Sequence, residues 1–306
     1  MNTKIHRESY LTLIIPIFFY LTLLVGFYFD ENSSHGAMYD FNHHISVVFS
    51  FESNFAESIN NYNKFRTDHS PLFIVSLLFL YKISGDVETM RLMFMHISLL
   101  APILFYLCLK EIFKNQNKVN IILLSLLLFI SPYYRSLSIW PGAEIISLIF
   151  FLASIYFFIK FCKKKEIKYA LLNIFFLAIC SYYRPILSLF SVYFFFKFLE
   201  FYGVKKRLFI LIIINCSLSL PAFYFLLFVN NFLISYGSFN ASNKILIIPS
   251  IIGFHLIPFI FLIHKSYKNN IFRIKLDNLI YVTLLFLVAL YFFNFDPRVF
   301  NYHEGG

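Results

Sequence analysis

Long apolar runs alternating with short polar stretches dominate this chain. At ~1.5 Å per residue, the first run, 10–29, is long enough to cross a ~30 Å hydrocarbon core. It is too long for the core of a cleaved leader and no small-x-small site follows it, so it reads as an uncleaved anchor. Comparable runs recur at 91–110, 119–134, 143–161, 168–184, 186–199, 208–231, 245–264 and 278–293. One apolar stretch, SPLFIVSLLFLYKISG, breaks the series. Ser70 is placed to cap a helix, Pro71 to start it and Gly85 to stop it. The segment between them is only ~21 Å long, too short to cross, and reads as a surface-lying or re-entrant helix. The pattern predicts an all-α polytopic membrane protein. It forms one domain, 1–306, with about nine transmembrane helices ending near 293 and a short or truncated outer segment, 294–306.

Charge fixes the expected orientation. If 71–84 does not span and the N-terminus is cytoplasmic, most of the 26 basic residues fall on the cytoplasmic side, the run KKKEIK among them. Most of the 16 acidic residues then fall outside. Counting 71–84 as a span would invert every later loop. The net charge of +10 is therefore a topology signal and gives no support to a nucleic-acid partner. Composition agrees: the chain is 59% hydrophobic and 14% charged, with a mean hydropathy of +0.71. A soluble domain is nearer half apolar and a quarter charged. The 43 Phe and 21 Tyr add nothing to this, because Phe, Ile, Asn, Lys and Tyr share A/T-rich codons. Cys108, Cys162, Cys180 and Cys216 lie in or beside apolar runs without metal-ligand spacing, and read as small hydrophobes.

The outer segments on this topology are 30–90, 135–142, the turn at 184–185, 232–244 and 294–306. The first is far the longest. It opens with FDENSSHGAMYDFNHH, which places Asp30, Glu31, Asp40, His43 and His44 directly after the first span. Residues 39–61 have the pattern of an interfacial amphipathic helix, with Asp40, His43, His44 and Val47 spaced to share one face. Later loops bring Arg135 and Glu144 in SPYYRSLSIWPGAE, and Arg184 in SYYRP. Ionisable loop residues on a rigid helical frame are candidates for chemistry. Asp40 with His43 is a candidate pair for a divalent metal, although the adjacent His43 and His44 rarely serve one ion. His96 and His255, each alone within a span, read as satisfied interhelical partners. Lys82, Arg91 and His264 at helix ends read as snorkelling side chains.

The order of these elements carries a resemblance. YDFNHHISVVFSFESNF, FRTDHSPLFIVSLLFLYKISGDVETMRLMF, ISPYYRSLSIWPGAEIISLIFFLASIYFFIKF and SYYRPILSLFSVYFFF together cover much of residues 10–200. The chain resembles the GT-C superfamily of polyprenyl-phosphate-sugar-dependent glycosyltransferases, in particular its protein mannosyltransferase and aminoarabinose transferase branch. The resemblance implies a GT-C-like fold with juxtamembrane helices in the first outer loop. It implies an integral-membrane enzyme, in a bacterial inner membrane, that moves a sugar from a polyprenyl-phosphate donor to an acceptor hydroxyl at the periplasmic face. The acceptor would be a glycan, a lipid or a protein, the surrounding partner is membrane lipid, and some branches use a divalent metal. An acidic residue of the first outer loop would act as base: Asp40 first, with Asp30 and Glu31 as the other candidates. His69, before the short Pro-led helix, and Arg184 match positions that meet phosphate or substrate, and Arg135 and Glu144 join that set. Many relatives read Pro-Asp in the second outer loop, whereas this chain reads Pro141-Gly142 with Glu144 two residues on. Two other classes accommodate a polytopic chain. One is a transporter or flippase of lipid-linked sugars, for which repeated halves and mid-membrane carboxylates are expected. The other is a non-catalytic partner in envelope assembly.

Overall fold

The computed structural model describes residues 2–224 apart from Arg66, Asp68 and Asn115, with side chains from Tyr10 onward. The chain divides into two units, 1–232 and 233–306. The expected spans 245–264 and 278–293, the segments 232–244 and 294–306, and His255 and His264 lie outside the described residues. The described residues are helical, with no strand among them. In chain order the helices are α1 (Asn2–Tyr28), α2 (Ala37–Ser53), α3 (Phe55–Asn60), α4 (Pro71–Ser84), α5 (Val87–Ser98) and α6 (Leu100–Ile112). They continue as α7 (Lys118–Leu126), α8 (Pro132–Ile139), α9 (Ala143–Lys164), α10 (Ile167–Tyr183), α11 (Phe190–Tyr202) and α12 (Lys206–Tyr224).

Among the described residues five stretches are long and apolar enough to cross a membrane: Tyr10–Tyr28, Val87–Ile112, Ala143–Lys164, Pro185–Tyr202 and Lys206–Tyr224. A sixth is present if the bent pair Lys118–Ile130 and Pro132–Ile139 is taken as one span. Each apolar run expected up to residue 224 is met by helix, but several differ from the simple pattern. The run 119–134 is not straight. It tightens into a 3₁₀ turn at Leu127–Ile130 and bends by 70° before α8. Pro132 forces Ser131 into extended backbone, and the Ser131 hydroxyl caps the new helix by accepting from the Tyr134 amide at 3.3 Å. Another is α10, apolar but only 17 residues long.

The short α4 forms where its punctuation predicts. Pro71 begins it and Gly85 ends it in the left-handed region at φ 81. Ser70 occupies the N-cap, yet its hydroxyl donates to the Tyr182 carbonyl instead of capping its own helix. The Ser76 and Tyr183 hydroxyls meet at 2.8 Å, a second tie between α4 and the end of α10. Between α5 and α6 the helix is interrupted at Leu99, and the cause is Pro102, which has no N–H to offer the Ser98 carbonyl. The Tyr134 hydroxyl donates to that carbonyl at 2.8 Å, so α8 repairs the break.

Two apolar clusters hold the helices together. The larger joins α1, α2, α4, α5, α8 and α9 through residues such as Leu23, Val48, Phe73, Phe94 and Ile139. The smaller joins α9 to α12 through Phe161, Ile174, Phe194, Phe198 and Leu211. At the α9–α10 seam Asn173 and Ser154 are fully buried. The Asn173 amide donates to the Ser154 hydroxyl at 2.8 Å and to its carbonyl at 3.0 Å, and Ser154 donates back to the Asn173 carbonyl at 3.0 Å. Replacing Asn173 by alanine should destabilise the protein by about 1–2 kcal/mol, the scale of an interhelical hydrogen bond within a membrane. Unfolding in a detergent titration checks this, and a midpoint unchanged from wild type would remove the clamp from the account.

Candidate functional site

Most of the ionisable groups that the sequence singles out gather at one end of the described helices, where α1 gives way to loop and α4, α8 and α9 begin. The chain leaves α1 in a tight turn. Asp30 adopts φ 50, and the Glu31 amide reaches back to the Gly26 carbonyl at 2.8 Å. That turn aims two adjacent carboxylates at two different arginines. Arg135 of α8 grips Glu31 with both edges of its fork, Nε to Oε1 at 2.8 Å and Nη2 to Oε2 at 2.5 Å. Its Nη2 also donates to the Thr22 carbonyl at 2.8 Å, fastening α8 to α1. The Trp140 indole donates to the Glu31 carbonyl at 3.2 Å, and the Ser33 hydroxyl donates to its carboxylate at 3.0 Å. The Arg135 guanidinium holds the Glu31 carboxyl below the ordinary carboxylate range, against the opposing effect of burial.

Asp30 turns the other way and accepts from Arg91 Nη2 at 2.8 Å, while Glu88 takes Nη1 at 2.7 Å. Arg91 does not snorkel as a helix-end cation. Its side chain is only 6% exposed, and its guanidinium carbon lies 3.6 Å from the centre of the Trp140 ring. The low dielectric of that contact strengthens the cation–π attraction. Sequence reasoning missed this pairing. The available signals were a lone tryptophan and an arginine one helical turn after a glutamate, and neither identifies the other.

A second cluster adjoins the first. Arg184, at the end of α10, pairs with Glu144 in the first turn of α9 and lies 3.4 Å from Nδ1 of His69, just before α4. These two side chains are about a quarter exposed. His69 is buried, its carbonyl accepting from the Tyr62 hydroxyl at 2.9 Å and its ring 4.7 Å from that of His44. Helix α2 links the clusters: Phe41 packs on Trp140 and, one turn later, His44 packs on His69. The expected common face of α2 divides on this account. His44 and Val47 are buried with Phe41 and Val48, whereas Asp40 and His43 stay exposed beside that stripe.

The structure thus brings together His69, Glu144 and Arg184. It commits Asp30 to Arg91 and Glu31 to Arg135, and leaves Asp40 and His43 at the accessible edge of α2. No family model, curated protein or solved structure matches this chain.

A planar guanidinium beside an imidazole offers several convergent donors to an anion such as a phosphate. Glu144 holds Arg184 in position and sits at a helix start, where a carboxylate is favoured. Among the described residues no three His, Cys, Asp or Glu side chains form a metal-ligand group. Asp40 and His43 supply two donors one turn apart, short of a ligand cage. Away from this region His96 is a satisfied partner, as its isolation suggests. Its Nδ1 faces the Leu92 carbonyl at 2.7 Å, so Nδ1 carries the proton and Nε2 accepts from the Tyr20 hydroxyl at 3.0 Å.

Gly26 makes the first cluster possible. A methyl group there would collide with Glu31 Oε2 and come within 2.9 Å of Arg135 Nη2. Gly26→Ala should therefore push the Glu31 carboxylate away from Arg135 and cost about 1–3 kcal/mol, the scale of a lost hydrogen bond to a charged group in a part-buried pair. A thermal midpoint equal to wild type would refute the close approach. The Glu31 carboxyl also predicts a sign with pH. Its contribution is fully present above the ordinary pKa of 4.5 and is lost as pH falls through the lowered folded value. Glu31→Gln should be less stable near neutrality and lack that part of the acid-induced loss, which melting curves from neutral to acid pH would show.

Proposed function

We propose that this chain is an integral-membrane glycosyltransferase. It would take a sugar from a polyprenyl-phosphate donor and place it on an acceptor hydroxyl of a glycan, lipid or protein at the periplasmic face. The finer architecture goes with this reading: nine spans, a GT-C-like arrangement, a cytoplasmic N-terminus and the cluster of His69, Glu144 and Arg184 outside. What supports it is the meeting of those three residues from three distant parts of the chain at the ends of apolar helices. A donor anchored by its lipid in the bilayer presents its phosphate at such a boundary.

In this mechanism Arg184 and His69 bind the donor phosphate. As the bond from the sugar's anomeric carbon to the phosphate oxygen breaks, negative charge grows on the leaving phosphate, and Arg184 stabilises it. Glu144 keeps Arg184 extended toward that place. Asp40, exposed on the first turn of α2, takes the proton of the acceptor hydroxyl as the new glycosidic bond forms. Asp30, Glu31, Arg91 and Arg135 brace the end of α1 against α5 and α8, so that α2 is presented at a fixed height.

The test is sugar transfer by the purified protein in lipid, from a panel of radiolabelled polyprenyl-phosphate sugars to an envelope extract. Asp40→Asn should lower turnover by ~10²–10⁴-fold with little change in donor binding. Arg184→Gln should weaken donor binding and turnover together. Full turnover by Asp40→Asn would discard the base. No transfer by a folded wild-type protein across a complete panel would discard the enzyme in favour of a transporter or an assembly partner.

A further inference from the structure

The opposite end of the same helices carries a different chemistry. Glu111 at the end of α6 is held between Lys160 at 2.5 Å and Lys163 at 2.6 Å, both on α9. Lys168 pairs with Glu166 at 2.6 Å. These carboxylates are outnumbered, because Lys110, Lys114, Lys118, Lys164, Lys165, Lys205, Lys206 and Arg207 crowd the same helix ends. Within this field a cleft of about 300 Å³ opens between α9 and α11. Its inner wall is aromatic, formed by Phe158, Phe161, Tyr193 and Phe201, and its rim carries two cations, Lys165 and Lys197, against one carboxylate, Glu200.

The rim is built by the backbone. Lys165 ends α9 in the left-handed region at φ 60, a conformation that favours glycine. That conformation carries its ammonium back over the cleft, 4.5 Å from the centre of the Phe201 ring. Lys197 is one turn before Phe201 on α11 and pairs with Glu200 at 2.8 Å. That pair is solvated, with Glu200 70% exposed, and an exposed pair of this kind yields readily to a competing anion. Tyr193 and Phe201 are themselves half-exposed or nearly so, at 51% and 40%, on a surface that an apolar chain would cover.

From this charge complementarity we infer that the cleft is a binding site for an anionic phospholipid. The phosphate sits between Lys165 and Lys197, and the upper part of one acyl chain lies along Phe158, Tyr193 and Phe201. Basic pockets between helices on the lysine-rich side of a membrane protein select such headgroups. The site uses none of the residues assigned to sugar transfer, and the inference stands whether or not that activity is found.

Native mass spectrometry of the detergent-purified full chain, exchanged into equal phosphatidylglycerol and phosphatidylcholine, tests it. Wild type should retain phosphatidylglycerol preferentially. Lys165→Gln and Lys197→Gln should each lower that preference about fivefold, the scale of one lysine near an anionic surface. Lys118→Gln, at the same end but outside the cleft, should leave it unchanged, and Phe201→Ala should weaken retention with the charges intact. Equal retention of both lipids, or equal losses from Lys118→Gln and Lys165→Gln, would overturn the site, the second outcome showing diffuse charge attraction. Displacement of the lipid by soluble glycerol phosphate would also overturn it, because the acyl wall would then contribute nothing.

Discussion

A carbonyl or a charge withdrawn from water has only the protein to bind, and this constraint explains most of what is irregular in the chain. Where a helix is interrupted, another element supplies the missing partner. The Ser98 carbonyl, left open by Pro102, is closed by Tyr134 across the α5–α8 contact. Where a cation is buried, it is stacked and chelated: Arg91 lies on Trp140 and spans Asp30 and Glu88. Where a polar amide enters the helical seam, as at Asn173, its N–H group donates to Ser154, whose hydroxyl donates back to the Asn173 backbone carbonyl. Each satisfaction joins two helices, so the polar exceptions also fix how the apolar majority packs.

The same logic separates two kinds of ionisable group at the α1 end. Asp30 and Glu31 are adjacent in sequence but pair with different arginines, and each pairing clamps the end of α1 to a different helix. His69, Glu144 and Arg184 clamp less and converge more, since they bring an imidazole, a carboxylate and a guanidinium to one point with partial solvent access. Arginine suits both tasks because its charge survives burial and its fork fixes direction. The two arginines differ in what else their forks meet: Arg135 also donates to the Thr22 backbone, whereas Arg184 also meets His69.

The all-helical, apolar character of the described residues and the positions of their helices were legible in the sequence because each depends on local pattern. Ser70, Pro71 and Gly85 mark the limits of α4, and apolar runs mark the longer helices. The bend before α8 was also encoded, in Ser131-Pro132, but a hydropathy run averages over it. The pairings were not legible. Arg135 meets Glu31 across 104 residues and Arg91 meets Asp30 across 61, distances at which only tertiary packing selects one carboxylate over its neighbour. The face of α2 was half right for the same reason. Spacing places Asp40, His43 and His44 near one another, and only the docking of Phe41 on Trp140 decides that His44 is buried and the other two are not.

The brevity of α10 has a consequence for the bilayer in the proposed reading. With 17 residues it is about 26 Å long, against a ~30 Å hydrocarbon core, and it ends at Arg184. As a single span of that length it would draw the adjoining leaflet thin, since lipid of the usual thickness would cover the charge at its end. A headgroup drifting past would sink toward the protein at that place. Hydrophobic mismatch would then bring a lipid-borne phosphate down to Arg184 and His69, and the protein would need no raised arm to collect it.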